Sequence, residues 1–231
     1  MLLESKDLDI GYSKRIVVYG LAMSVEKGEI VAIIGHNGAG KTTTLKGLFG
    51  ILKPFKGNII FNGTDITGHS PLNNIKNGIT FLPQERFIFP ELSVRENLDL
   101  GAYTVEEDVE SRLDNIFHLF PPLKERAWQR SSTLSGGERR MLGLGMTLIT
   151  RPQLLILDEP SLGLAPVLVT SLLETLRQIR DEMGTSVILV EQNVKQALKV
   201  AQRVYVMKMG RIILEETGEN LLQRGEWWDL F

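Results

Sequence analysis

The chain has 231 residues, enough for one large domain or two small ones. Its 43% hydrophobic and 23% charged residues exclude a disordered chain, and 26 basic against 28 acidic residues give a net charge of −2, with no sign of a nucleic-acid partner. The absence of cysteine excludes disulfides, thiolate metal sites and cysteine nucleophiles together, and fits a reducing compartment.

In chain order, Met1-Leu2-Leu3-Glu4-Ser5-Lys6-Asp7 has no basic start followed by an apolar run, so it does not read as a signal peptide. The first expected strand is 30–34, apolar throughout as for a strand buried on both faces. Gly35-His36-Asn37-Gly38-Ala39-Gly40-Lys41-Thr42 follows directly and fits G-x-x-x-x-G-K-[ST]. Its glycines let backbone N–H groups surround phosphate oxygens, and the helix expected after it points its positive end at the same anion. Lys41 is expected on the β- and γ-phosphates and the Thr42 hydroxyl on Mg²⁺, with Thr43 adjoining. A Gly-rich turn with a stray lysine is the bland alternative; a chance match in such a chain is on the order of 1%, and the strand–loop–helix context lowers it further. Leu45, Leu48, Phe49 and Leu52 recur at helical spacing behind the loop.

Further strands are expected at 58–61 and 79–82. Ser93-Val94-Arg95-Glu96 and Thr104-Val105-Glu106-Glu107 both read as capping boxes opening helices. The second of these helices carries Val109, Leu113, Ile116, Phe117 and Phe120 on one face and stops at Pro121-Pro122. With no strand signal between about 82 and 154, the region reads as an all-helical insert in an α/β core. Leu134-Ser135-Gly136-Gly137-Glu138 adds a second cluster of N–H donors at a helix start; alone it fits a plain cap equally well. Two phosphate nests in one chain make sense if a second copy closes its nest over the first copy's nucleotide.

The strand expected at 154–157 ends in Asp158-Glu159, which places carboxylates at the sheet edge where α/β folds hold ligands. Asp158 suits a magnesium shell and Glu159 the orientation and deprotonation of an attacking water; without the phosphate loop they would read as helix-capping acids. A helix with Val169, Leu172, Leu173, Leu176 and Ile179 on one face, then strands at 186–190 and 203–207, complete the alternation. The apolar tail Gly225-Glu226-Trp227-Trp228-Asp229-Leu230-Phe231 is expected to dock back on the core. No apolar run approaches the roughly 20 residues of a spanning helix, so a membrane role is expected to be peripheral and through a partner.

Together the motifs at 35–42, 134–138 and 154–158 resemble those of ABC-transporter nucleotide-binding subunits over essentially the whole chain. The resemblance implies an α/β P-loop NTPase (RecA-like) core at 1–84 and 151–231, with an antiparallel β subdomain near the N-terminus and an inserted all-helical subdomain at 85–150. It implies ATP and Mg²⁺ as ligands, Tyr12 as the adenine-stacking aromatic, and Gln84 as a Mg²⁺-sensing glutamine coupled to the membrane partner. Ser135, Gly136, Gly137 and Glu138 would meet the nucleotide of an opposing subunit. Partners so implied are integral-membrane permease subunits, a second ATPase in a homo- or heterodimer, and an extracytoplasmic substrate-binding protein, with the chain peripheral at the cytoplasmic face of the cell membrane.

Two positions depart from the pattern. The switch histidine is replaced by Gln192, whose amide can donate to a γ-phosphate but cannot become a cation. Leu164 stands where many members carry an aspartate. The segments 159–166 and 190–193, with Arg95-Glu96-Asn97-Leu98, resemble one of the two ATPases of branched-chain (hydrophobic) amino-acid importers. A urea or amide importer, a lipopolysaccharide-transport ATPase and a non-hydrolysing nucleotide-gated clamp are the alternatives.

Overall fold

A computed structural model describes residues 1–85 and 87–224. The expected tail docking, at residues 225–231, lies outside the described residues. The chain opens with β1 (Leu3–Tyr12) and β2 (Arg15–Val25), an antiparallel pair, then β3 (Ile30–Ile34) and α1 (Lys41–Phe49). β4 (Lys56–Phe61), β5 (Thr64–Asp65), α2 (Pro71–Lys76) and β6 (Ile79–Leu82) follow. Between β6 and the next strand, β7 (Leu154–Asp158), lie α3 (Val94–Gly101), α4 (Val109–Leu119), α5 (Pro121–Glu125), a 3-10 turn at Ser131–Thr133 and α6 (Gly136–Leu148). The chain continues through α7 (Pro166–Met183), β8 (Ser186–Val190), α8 (Val194–Val200), β9 (Arg203–Lys208), β10 (Arg211–Thr217) and α9 (Gly218–Arg224).

Two sheets result. One is antiparallel in the order β2-β1-β4-β5; the other runs β10-β9-β3-β8-β7-β6, parallel throughout except where β10 meets β9. The strands of the second sheet are apolar on both faces because both faces are covered. Ile30, Ala32, Ile34, Leu155, Leu157, Val187, Leu189, Val204 and Val206 join one apolar cluster, with α3, α4, α6, α7 and α8. Their alternating neighbours Val31, Ile33, Leu154, Ile156, Ile188, Val190, Tyr205 and Met207 join another, with α1 and the antiparallel sheet. This is the two-residue period of a pleated strand applied to a sheet between two layers.

Every strand expected from the sequence is present, and β1, β2, β5 and β10 are added to them. The buried side chains of β1 are Leu3, Ser5, Leu8 and Ile10, with Gly11 buried beside them, so the alternation changes phase between Ser5 and Leu8. A bulge with Asp7 at φ 51° absorbs the extra residue. Gly57 passes so close to the bulge that a Cβ there would lie 2.3 Å from the Lys6 carbonyl oxygen.

The capping box at Ser93 forms: its hydroxyl accepts from the Glu96 N–H, and Glu96 accepts from the Ser93 N–H at 2.7 Å. The one expected at Thr104 does not. The chain makes a turn there instead, with the Val105 N–H donating to the Ala102 carbonyl at 2.7 Å and Val105 packed on the core, and α4 starts only after Asp108. Apolar anchoring of Val105 overrides the local capping signal. Pro121 and Pro122 stop α4 as expected, and also open α5, where proline is tolerated in the first turn. Among the described residues no helix is long and apolar enough to cross a membrane.

Candidate nucleotide site

Because β3, β8, β7 and β6 are parallel neighbours, their C-terminal ends share one edge of the sheet. Each delivers its own group there: the loop to Lys41 from β3, Gln192 after β8, Asp158 and Glu159 at the end of β7, and Gln84 after β6. Residues 108 apart in sequence, from Gln84 to Gln192, thus line one cleft of about 310 Å³. Its walls include Asn37, Gly38, Gly40, Lys41, Thr42, Thr43, Glu159 and Val17. Val17, on β2, carries no motif and was not expected.

The loop geometry requires its glycines at two points. A Cβ on Gly35 would sit 2.3 Å from the Met207 carbonyl oxygen, so the chain can turn under β9 only without a side chain. Gly40 caps α1 at φ 105°, a conformation glycine adopts at little cost. His36, Asn37 and Gly38 form the exposed rim, and Ala39 is buried, its carbonyl accepting from the Gly210 N–H at 2.9 Å. The Lys41 ammonium donates to the Gly35 and His36 carbonyls at 2.8 and 3.1 Å. Burial holds it below the ordinary lysine range, against the opposing pull of Glu159 and Asp158.

Thr42 donates through its hydroxyl to Asp158 Oδ1 at 3.2 Å. Burial raises Asp158 above the usual carboxylate range; the Thr42 bond opposes this and the neighbouring Glu159 adds to it. Gln84 and Gln192 both donate their side-chain amides to Glu159 Oε2, each at 2.8 Å. Glu159 itself has φ 48°, with its N–H held on the Val190 carbonyl at 2.9 Å. A left-handed non-glycine residue costs on the order of 1–3 kcal/mol and persists where its surroundings over-determine it. Tyr12, at the end of β1, is 44% exposed; its hydroxyl accepts from Thr43 at 3.5 Å and the Lys46 ammonium lies 5.9 Å from its ring centre.

Ser135, Gly136, Gly137 and Glu138 stand apart from this cleft, at the start of α6. They form a complete capping box: the Ser135 hydroxyl accepts from the Glu138 N–H at 3.3 Å, and Glu138 accepts from the Ser135 N–H at 2.8 Å. Those bonds, with Arg126 at 2.9 Å, hold the Glu138 carboxyl below its usual range. Ser135 and Gly136 remain exposed.

The family model described as ABC transporter matches residues 18–162. The chain belongs to the ABC transporter family. It is an ATPase, a motor subunit of the kind that works with membrane permease partners. It is 44% identical over 212 residues to the high-affinity branched-chain amino acid transport ATP-binding protein BraG of Pseudomonas aeruginosa, covering 91% of each chain. It is 35% identical to the probable branched-chain amino acid transport ATP-binding protein LivF of Archaeoglobus fulgidus, covering 96% of this chain and 94% of that one. The lipopolysaccharide export system ATP-binding protein LptB of Escherichia coli is 36% identical, with 96% and 92% covered. The fold matches a nucleotide-free ATP-binding cassette from an ABC transporter with a TM-score of 0.87 at 26% identity, over 96% of this chain and 94% of that one.

The leucine at 164 has a structural reason in this ABC ATPase. Leu164 is half-buried and packs on the apolar cluster beside Leu168 and Leu172, where an aspartate would place a charge against hydrocarbon.

Proposed function

We propose that the chain is the ATP-hydrolysing motor of an importer for branched-chain amino acids. Support for the cargo comes from the 44% identity to BraG, which exceeds the 36% to LptB. The observation that carries the hydrolytic reading is the Glu159 carboxylate held on one oxygen by two amides beside Lys41. With Oε2 fixed by Gln84 and Gln192, Oε1 accepts no hydrogen bond among the described residues and is oriented to take a proton from water.

In this reading Lys41, Gly35, His36, Asn37, Gly38, Ala39, Gly40 and Thr43 bind the phosphates, and Tyr12 stacks on the base. Thr42, Asp158 and Gln84 offer hard oxygen donors that suit Mg²⁺. Bound there, the ion would supply charge neutralisation at the β- and γ-phosphates. Glu159 is the general base, and Gln192 holds its orientation and reaches toward the γ-phosphate. Ser135, Gly136, Gly137 and Glu138 complete the site of a second ATPase subunit, identical or different. Residues 85–150 form the helical subdomain on the core of 1–84 and 151–231. The chain works at the cytoplasmic face of the membrane on permease subunits served by an extracytoplasmic binding protein.

The test is steady-state ATPase activity with Mg²⁺, alone and with permease and partner ATPase, comparing Glu159→Gln. Turnover is expected to fall by about 10²–10⁴ in the variant with ATP still bound. Parental turnover in Glu159→Gln would remove the general-base assignment. Leucine uptake by reconstituted vesicles tests the cargo, and lipopolysaccharide extraction without uptake would select the export reading.

A further inference from the structure

Glu191 is a buried carboxylate that the proposed hydrolytic roles leave unused. It directly follows β8, is 2% exposed, and grips Ser161 with both oxygens: Oε1 accepts the Ser161 N–H at 2.9 Å and Oε2 the Ser161 hydroxyl at 2.6 Å, with the Gln192 backbone N–H also directed at the carboxylate. Ser161 is itself buried. Burial raises the Glu191 carboxyl above its usual range, and the bonds from Ser161 pull it back. A neutral acceptor could satisfy one N–H and one hydroxyl, so a desolvated acid is an expensive choice for capping alone.

Its position explains the choice. Ser161 is two residues after Glu159, and Gln192 is one residue after Glu191. The single carboxylate therefore ties together the two loops whose side chains meet at Glu159 Oε2. It also closes the segment in which Glu159 is held at φ 48°. The opposing charge comes from α6: Arg140, 6% exposed, lies in the field of Glu191. Its guanidinium is 4.3 Å from the Phe87 ring centre and 3.4 Å from the Gln84 carbonyl oxygen, to which it donates.

We infer that Glu191 is a positioning residue for ATP hydrolysis, pinning the loop after β7 to the loop after β8 so that the Gln192 amide stays on the Glu159 carboxylate. This rests on the roles proposed above for Glu159 and Gln192.

The experiment measures kcat and KM for ATP in the assembly that supports wild-type turnover, with melting temperatures for every variant. Glu191→Ala is expected to lower kcat about tenfold with KM within about twofold, since binding groups are untouched. Glu191→Gln keeps an acceptor for the Ser161 N–H but gives up the charged bond to the hydroxyl, and recovers only part of the loss. In a Gln192→Ala background, Glu191→Ala costs less than about twofold, because the group it positions is gone. Should Glu191→Ala fail to fold, Ser161→Ala carries the same test, with a smaller loss that also vanishes in that background. Additive losses, or an unchanged kcat in Glu191→Ala beside a slow Gln192→Ala, overturn the positioning role and leave the functional reading standing. Parental turnover in both Glu159→Gln and Gln192→Ala removes the functional reading, and this inference with it.

Discussion

Lys41 meets the nucleotide from a prepared position. Its ammonium is drawn across the loop by the Gly35 and His36 carbonyls, and its partial burial means that a phosphate restores solvation the fold has removed. Lys41→Ala is expected to weaken ATP binding about tenfold to a hundredfold, the scale of a lost charged hydrogen bond of roughly 1.5–3 kcal/mol. Fluorescent-nucleotide titration checks it. Gln192 tests a different property. Its neutral amide already donates to Glu159, and an imidazole could donate as a cation near neutral pH. Gln192→His should therefore raise turnover in the same assembly, and an unchanged rate would show that charge at this position is immaterial.

At the scale of elements, α3 and α6 begin with the same device, a serine N-cap and a glutamate three residues on. Ser93→Ala and Ser135→Ala should each cost about 0.5–2 kcal/mol in denaturant melts. Only Ser135→Ala should also slow hydrolysis, because only α6 is assigned a nucleotide across a dimer; equal turnover in both would reduce that assignment to a cap. The same comparison shows what sequence can carry. β3, β7 and β8 were legible because both faces are buried and the apolar runs are uninterrupted. β1 was hidden by the bulge at Asp7, and β10 by its edge position, where alternate residues are exposed. The phosphate loop and Asp158-Glu159 announce themselves by local spacing. The Glu191–Ser161 pair joins residues 30 apart that no local pattern connects, so only the parallel pairing of β7 and β8 reveals it.

At the scale of the whole molecule, the nucleotide cleft and the Ser135 nest are separate surfaces of one chain. A complete site in the proposed reading needs two chains. Glu159→Gln with ATP and Mg²⁺ should sediment as a dimer, and chelation of the metal should return it to monomer. A monomer under both conditions would mean that the chain needs a different ATPase as partner. Dimer formation should follow nucleotide affinity, so Lys41→Ala should need about tenfold to a hundredfold more ATP to dimerise.

The strand order also dictates when the cleft can exist. β3, which carries the phosphate loop, has as its two neighbours β8 and β9, both from the last quarter of the sequence. A nascent chain emerging from the ribosome therefore presents the loop long before anything pairs with the strand beneath it. Until β8 arrives, an apolar strand stands open on both edges, in the condition that recruits chaperones or neighbouring chains. A fragment stopped before β8 should be unable to hold ATP, although it contains the phosphate loop, Asp158 and Glu159 in full.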